Sequence, residues 1–250
     1  MGLWPRGGGR GRAAQKGVAG AGGAGIVGGP MGNQTSSTAN PAAAPAAREM
    51  PPADWPRPRL VLGLSGGMGC GKSTATRFFA DCGFRTVDCD RIVRDELLPR
   101  AEIVAAVAAR FGAAVVGADG RLDRAAVAAR VFADDADRRW LEALLHPLVR
   151  ASWRAALAGD LAARWVVEVP LLFEKGLENW FDSTICVATS SAQQLSRLQA
   201  RGVPPDLAAA RIAKQLPLPR KIAAADFVLL NDGSLDFLKE QVASLAGRWL

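Results

Sequence analysis

Gly66-Gly67-Met68-Gly69-Cys70-Gly71-Lys72-Ser73 fits G-x-x-x-x-G-K-[ST], and with its flanks it constrains the fold more than any other stretch. The apolar run Leu60-Val61-Leu62-Gly63-Leu64 comes just before it and reads as a buried parallel strand. Thr74 to Ala80 follows with helix-competent residues. In a strand, glycine loop and helix start in that order, backbone N–H groups converge on phosphate oxygens at a helix N-terminus. Lys72 is placed to reach the β- and γ-phosphates, and the Ser73 hydroxyl to ligate Mg²⁺. Gly67, Met68, Gly69, Cys70, Gly71, Lys72, Ser73 and Thr74 are therefore expected to hold a nucleoside triphosphate.

Beyond this loop, short apolar runs alternate with helical stretches. Candidate strands are Leu60–Leu64, Arg85–Val87, Trp165–Val169, Thr184–Ala188 and Phe227–Leu230. Between the second and third, Ala101–Phe111, Arg124–Phe132, Asp137–Leu145 and Leu148–Leu157 carry helix-period apolar spacing, which suggests an inserted helical lobe. Strands separated by helices imply an α/β, three-layer P-loop fold, with a parallel sheet covered on both faces. Ligands on such sheets gather at the carboxyl ends of the strands, so each candidate residue is tested by whether it follows a strand.

The formal charge of +7 is uneven. Arg6, Arg10, Arg12, Lys16 and Arg48 contribute +5 before any acid occurs, which leaves +2 for residues 49–250. The basic balance is thus largely a property of the N-terminal stretch; it predicts no nucleic-acid partner and suits polyanionic small substrates. Residues 1–58 are Gly/Pro/Ala-rich and read as a disordered extension, too poor in apolar surface to offset its ordering entropy. Cys70, Cys82, Cys89 and Cys186 form no C-x-x-C pair, which argues for a reducing, cytoplasmic setting and against a zinc site. The Arg-bearing, acid-free start leaves an organellar presequence as the alternative. No apolar run approaches the ~20 residues of a membrane span.

Several residues pass the strand-end test. Asp88-Cys89-Asp90 follows the second strand, where a carboxylate could take a proton from an acceptor hydroxyl or, alternatively, Asp90 could cap a helix opening at Arg91. Glu168 ends the third strand, as a Walker-B-like acid or as the partner of an Arg. Ser190/Ser191 can open a helix that stops near Gly202 and Pro204. Arg197 and Arg201 share one face of it, either simply solvated or closing over phosphate oxygens. Lys221 reads as half of a basic pair with Arg220. His146, before Pro147, reads as a helix-boundary residue. A GTP switch protein would need N-K-x-D, and Asn231-Asp232-Gly233 does not fit it. A kinase for nucleosides or nucleotides remains open on these grounds.

Taken in order, these motifs resemble the dephospho-CoA kinase family over residues 60–248. Leu64-Ser65-Gly66-Gly67-Met68-Gly69-Cys70-Gly71-Lys72-Ser73-Thr74 matches its phosphate loop, with Ser65 where Thr is commoner and Cys70 where Ser or Ala is usual. Asp88-Cys89-Asp90 with Arg94, Arg121-Leu122-Asp123-Arg124, Leu145-His146-Pro147 and Pro170-Leu171-Leu172-Phe173-Glu174 follow. Gln194-Leu195-Ser196-Arg197 with Arg201, then Arg211-Ile212-Ala213-Lys214-Gln215, resemble the family's lid, and Ala225 to Asn231 closes the pattern. The resemblance implies that ATP, with Mg²⁺, phosphorylates the ribose 3′-hydroxyl of dephospho-CoA. It implies Asp90, Lys72 and Arg197 as catalytic residues and Arg201 as a further ATP contact. Asp88, Arg94, His146, Pro170, Leu171 and Glu174 are implied on the acceptor side. Residues 59–250 form the implied kinase domain, with a lobe near 93–160 and a lid near 197–222, acting as a monomer.

Overall fold

The computed structural model describes residues 47–250. Five strands form one sheet: β1 (Leu60–Gly66), β2 (Arg85–Asp88), β3 (Arg164–Glu168), β4 (Ser183–Ala188) and β5 (Phe227–Leu230). Their order is β2-β3-β1-β4-β5, and every pair is parallel. All five expected strands are present, with ends shifted by a residue or two. The central strands β3, β1 and β4 are apolar runs because the sheet is buried on both faces there, while the edge strand β2 keeps exposed Arg85 and Thr86.

Alternation along the strands sorts side chains into two cores. Val61, Trp165, Val167 and Cys186 point to one side, where they meet the helical insertion. Leu62, Leu64, Val166, Ile185, Val187 and Leu229 point to the other, against α1 (Lys72–Asp81) and α9 (Leu235–Ala246). Gly63 lies within β1 because a Cβ there would stand 2.6 Å from the Phe181 ring.

β2 and β3 are neighbours in space, yet the whole insertion runs between them. It comprises α2 (Cys89–Arg91), which continues as a π-helical stretch Ile92–Leu97, then α3 (Ala101–Phe111), α4 (Arg124–Ala133) and α5 (Asp135–Ala158). The two helices expected on either side of His146-Pro147 are one 24-residue helix. Pro147 removes one backbone donor. Leu145, Val149, Trp153 and Leu157 form a single buried stripe across it at four-residue steps, and this packing keeps the two halves in line. Between β4 and β5 lie α6 (Ser191–Ala200), α7 (Pro205–Ala213) and α8 (Leu218–Ala224).

The expected boundary at residue 58 needs correction. Residues 1–46 lie outside the described residues, but 47–58 pack on the domain without regular secondary structure. Trp55 is 5% exposed, with ring centroids 5.6 Å from Trp153 and 5.5 Å from Trp180. Glu49 donates its N–H to Gly176 O (2.8 Å) and its carboxylate pairs with Arg150 (2.9 Å). Proline-rich composition rules out a regular element here, but one large aromatic suffices to anchor the strand-less segment.

Candidate active site

The glycine loop leaves β1 at its carboxyl end. Gly69 and Gly71 have φ of 76° and 93°, left-handed values that favour glycine, and a Cβ at Gly71 would collide with Asn231 Nδ2. Three amide side chains from other elements brace the loop. Asn231 Nδ2 donates to Cys70 O (2.8 Å), Gln194 Nε2 to Met68 O (2.8 Å), and Gln215 Oε1 accepts from Met68 N–H (3.2 Å). Tying these carbonyls down fixes the loop's curvature and presents its amide groups at the start of α1.

Lys72 Nζ lies on Gly67 O (3.1 Å) and Gly66 O (3.5 Å). Burial lowers its pKa, and the neighbouring Glu168 carboxylate pulls the other way. Glu168 is 3% exposed at the end of β3. It accepts from Ser73 Oγ (3.0 Å) and from Thr76 Oγ1 (3.0 Å), so its partners are hydroxyls of α1 and not an arginine. Burial raises its pKa and the Asp88 charge adds to the rise, while Lys72 opposes both. A hydroxyl backed by a carboxylate is a hard oxygen set, the chemistry Mg²⁺ prefers. Among the described residues no group of three or more His, Cys, Asp or Glu is arranged to hold a metal unaided.

Of the two aspartates at the end of β2, the capping role falls on Asp88, not Asp90. Asp88 Oδ1 accepts from Arg91 N–H (3.1 Å). Asp90 is left free of the cap and lines an open cavity of about 330 Å³. The protein around the Asp90 carboxyl displaces water and raises its pKa; Lys72 opposes the rise and Asp88 adds to it.

The cavity joins the two halves of the site: Met68 of the phosphate loop and Asp90 both line it. His146, Pro170 and Leu171 are there too, as expected. Burial lowers the His146 pKa, and the charges of Lys175 and Arg150 add to the effect against the pull of Glu142. Three expected acceptor contacts lie elsewhere, the capping Asp88 among them. Glu174 does not line the cavity; its Oε1 is held by Lys221 Nζ (2.6 Å) and by Leu216 N–H (3.1 Å). Its neighbour Lys175 lines the cavity, but the Glu174 carboxylate is claimed by the buried lysine. Arg94 lines a neighbouring cavity and is paired with Asp95 (2.7 Å).

Arg197 rests on the loop, its Nη2 donating to Asn231 O (2.8 Å) and its Nη1 to Gly69 O (3.4 Å). Arg201, one turn on at the C-cap of α6, is exposed. The segment after α7 reaches both halves of the molecule. Gln215 holds Met68, while Lys214 Nζ donates to Phe132 O (2.9 Å) at the end of α4.

Sequence reasoning missed Lys221, Gln215, Gln194 and Trp153. Lys221, expected in a solvated basic pair, is 0% exposed; its Nζ pairs with Glu174 and donates to Gly66 O (3.4 Å) at the loop's entrance. The signal was present in its neighbours: Ile222 and Ala225 are apolar at the spacing of a buried helix face. Trp153 lies on the buried stripe of α5 and looked like plain core.

Comparison with known proteins gives one consistent result. The sequence pattern described as dephospho-CoA kinase matches residues 60–236. The dephospho-CoA kinase of Methylococcus capsulatus is 38% identical over 191 residues, covering 76% of this chain and 96% of that protein. That of Thiobacillus denitrificans is 40% identical over 193 residues, covering 76% and 96%. A crystal structure from Thermus thermophilus superposes with a TM-score of 0.67 at 32% identity, covering 78% of this chain and 99% of that one.

Proposed function

Because the chain belongs to the dephospho-CoA kinase family, we propose that the cavity between Met68 and Asp90 is where ATP meets dephospho-CoA. The activity is that of the family: phosphorylation of the acceptor's ribose 3′-hydroxyl to give CoA and ADP, the final step of CoA biosynthesis. The observation that carries the site assignment is the shared cavity, in which a carboxylate released from capping faces a phosphate loop. A fixed geometry of this kind supplies the proximity on which phosphoryl transfer depends.

The residues divide the work. Backbone amides from Gly67 to Thr74 hold the donor's phosphates, and Lys72 leaves the loop carbonyls for the β- and γ-phosphate oxygens. Asp90 accepts the proton of the acceptor hydroxyl as its oxygen bonds to the γ-phosphorus, and the bond from that phosphorus to the β–γ bridging oxygen breaks. Arg197, already on the loop, offers its guanidinium to the transferring group, and Arg201 extends the same face. His146, Pro170 and Leu171 wall the acceptor, with Asp88 fixing the turn that carries Asp90. Ser73, with Glu168 behind it, would hold Mg²⁺. When bound, the ion neutralises phosphate charge.

Residues near 93–160 act as the acceptor lobe and 197–222 as the lid, an assignment supported by the Gln215–Met68 and Lys214–Phe132 contacts. One chain supplies donor loop, carboxylate and arginine, so the unit of function is a monomer. No helix among the described residues is long and apolar enough to cross a membrane. The four free thiols support a cytoplasmic location.

The test is incubation with ATP-Mg²⁺ and a panel of dephospho-CoA, nucleosides and nucleotides. Only dephospho-CoA should be turned over efficiently, yielding CoA. Preference for a nucleoside or nucleotide would refute the acceptor assignment while leaving the donor site intact.

A further inference from the structure

Lys221 is wholly buried, at 0% exposure, and the chemistry above gives it no task. Its Nζ lies 2.6 Å from Glu174 Oε1, 3.4 Å from Gly66 O and 3.5 Å from Pro170 O. An ammonium has three N–H donors and no acceptor, so these three oxygens use its whole capacity.

As a stabiliser the Lys221–Glu174 pair is poor, because taking both charges out of water offsets most of their attraction. Glu174 Oε2 is buried with no hydrogen-bond partner, which adds to the cost. What the lysine supplies instead is a common point for three parts of the site. Gly66 ends β1 where the phosphate loop begins. Pro170 follows β3 and walls the Asp90 cavity. Lys221 itself lies in α8, at the base of the proposed lid. Glu174 Oε1 also accepts from Leu216 N–H (3.1 Å), and Gln215, one residue earlier, accepts from Met68 N–H (3.2 Å). Residues 215–221 are thus fastened to the phosphate loop both at its entrance and at Met68.

Gly66 O is shared with Lys72 Nζ (3.5 Å). Lys72 must leave this carbonyl to serve the donor's phosphates, whereas Lys221, buried and held by Glu174, stays on it. Two ammoniums on one oxygen repel each other, so Lys221 also favours the departure of Lys72 toward phosphate. On its β4 side the Gly66 backbone lies so close that a Cβ would collide with Val187 O. The start of the loop is therefore gripped from both neighbours of β1, by packing on β4 and by Lys221 through the turn after β3.

We propose that Lys221 is a positioning residue for phosphoryl transfer: it fixes the donor loop at Gly66 against the acceptor wall at Pro170 and anchors the base of the lid to both. The assignment rests on the active-site reading above and adds to it a residue buried away from both substrates. Transfer needs its reacting atoms about 3–3.5 Å apart and in line, and a misplacement of about 1 Å can cost ~10²-fold. A compact ammonium with three diverging donors suits such a junction.

The test compares K221M, K221M/E174Q and K221R in the full chain, each assayed well below its own Tm. K221M leaves Glu174 buried without its cation and should melt earlier, whereas K221M/E174Q leaves no unpaired charge there and should recover most of that Tm. In both, kcat for transfer to dephospho-CoA should fall about 10- to 100-fold. The Kd for ATP and the KM for dephospho-CoA should stay within about threefold of the parent, as for a group that acts on the transition-state geometry alone. K221R keeps the charge and the donors and should regain part of kcat. If K221M does not fold, K221M/E174Q carries the test. Parent-level kcat in K221M/E174Q, a loss confined to KM, or a kcat that recovers together with Tm would overturn the assignment and leave Lys221 a purely structural residue. Failure of the unsubstituted protein to phosphorylate dephospho-CoA would instead sink the active-site reading, and this assignment with it.

Discussion

Trp55→Ala is the sharpest test of how the chain before β1 contributes. Trp55 is 5% exposed, stands edge-on to Trp153 at 82° and tilted to Trp180 at 48°, and carries the Arg57 guanidinium 5.5 Å from its ring. Truncating a buried Trp to Ala costs about 3–5 kcal/mol, and each aromatic pair contributes up to ~1.5 kcal/mol of that. The indole N–H has no hydrogen-bond partner, and removing an unsatisfied donor returns about 1 kcal/mol. The net loss should therefore fall near 3 kcal/mol, or about 6–12 °C in Tm for a domain of this size. Trp153 also lines the Asp90 cavity, so the KM for dephospho-CoA should rise while the KM for ATP does not. Thermal melts of W55A and W55F, with steady-state kinetics of both, measure these effects. A Tm for W55A within about 2 °C of the parent would show that residues 47–58 lie on the surface without bracing the fold.

Three further outcomes follow from the site. Lys72→Ala should lower kcat by about 10³-fold at saturating ATP with Tm retained, because Lys72 faces the phosphates; near-parent turnover would refute its role. Glu168→Gln should stabilise the fold at neutral pH while depressing activity. The Glu168 pKa is raised in the fold, so its contribution is fully present below the unfolded value and is lost as pH rises through the folded value. Urea melts from pH 4 to 8 should thus show a stability decline in the parent that the variant lacks, and identical profiles would contradict the assignment. The acid limb of kcat/KM should lie above the usual carboxylate range, since Asp90 must be ionised to accept a proton and its pKa is raised. A pH–rate profile flat through that range would exclude Asp90 as the base.

The sheet was legible because its central strands are buried on both faces and so read as apolar runs between turns. The phosphate loop was legible for a different reason: its glycines and Lys72-Ser73 are set by backbone chemistry local to one stretch. What failed depended on distant partners. Trp55 is core only because α5 and the Glu178–Trp180 turn bring two more tryptophans to it. The burial of Lys221 requires Glu174 from 47 positions earlier, and the same ion pair removes Glu174 from the acceptor cavity. The break expected at Pro147 was overruled by a stripe whose partners lie on the sheet. Capping by Asp88 rather than Asp90 turned on a two-residue difference in where the helix begins, within the spread by which helix ends are assigned.

The division of labour at Asp90 is the central claim, and single-turnover phosphate transfer by Asp90→Asn measures it most directly. The amide keeps the size of the side chain but cannot take a proton. The account predicts transfer to dephospho-CoA slowed by about 10²-fold or more, with ATP affinity close to the parent's because the phosphate loop is untouched. Transfer at the parent rate would contradict it, leaving Asp90 a bystander in the cavity wall and the reaction without its base.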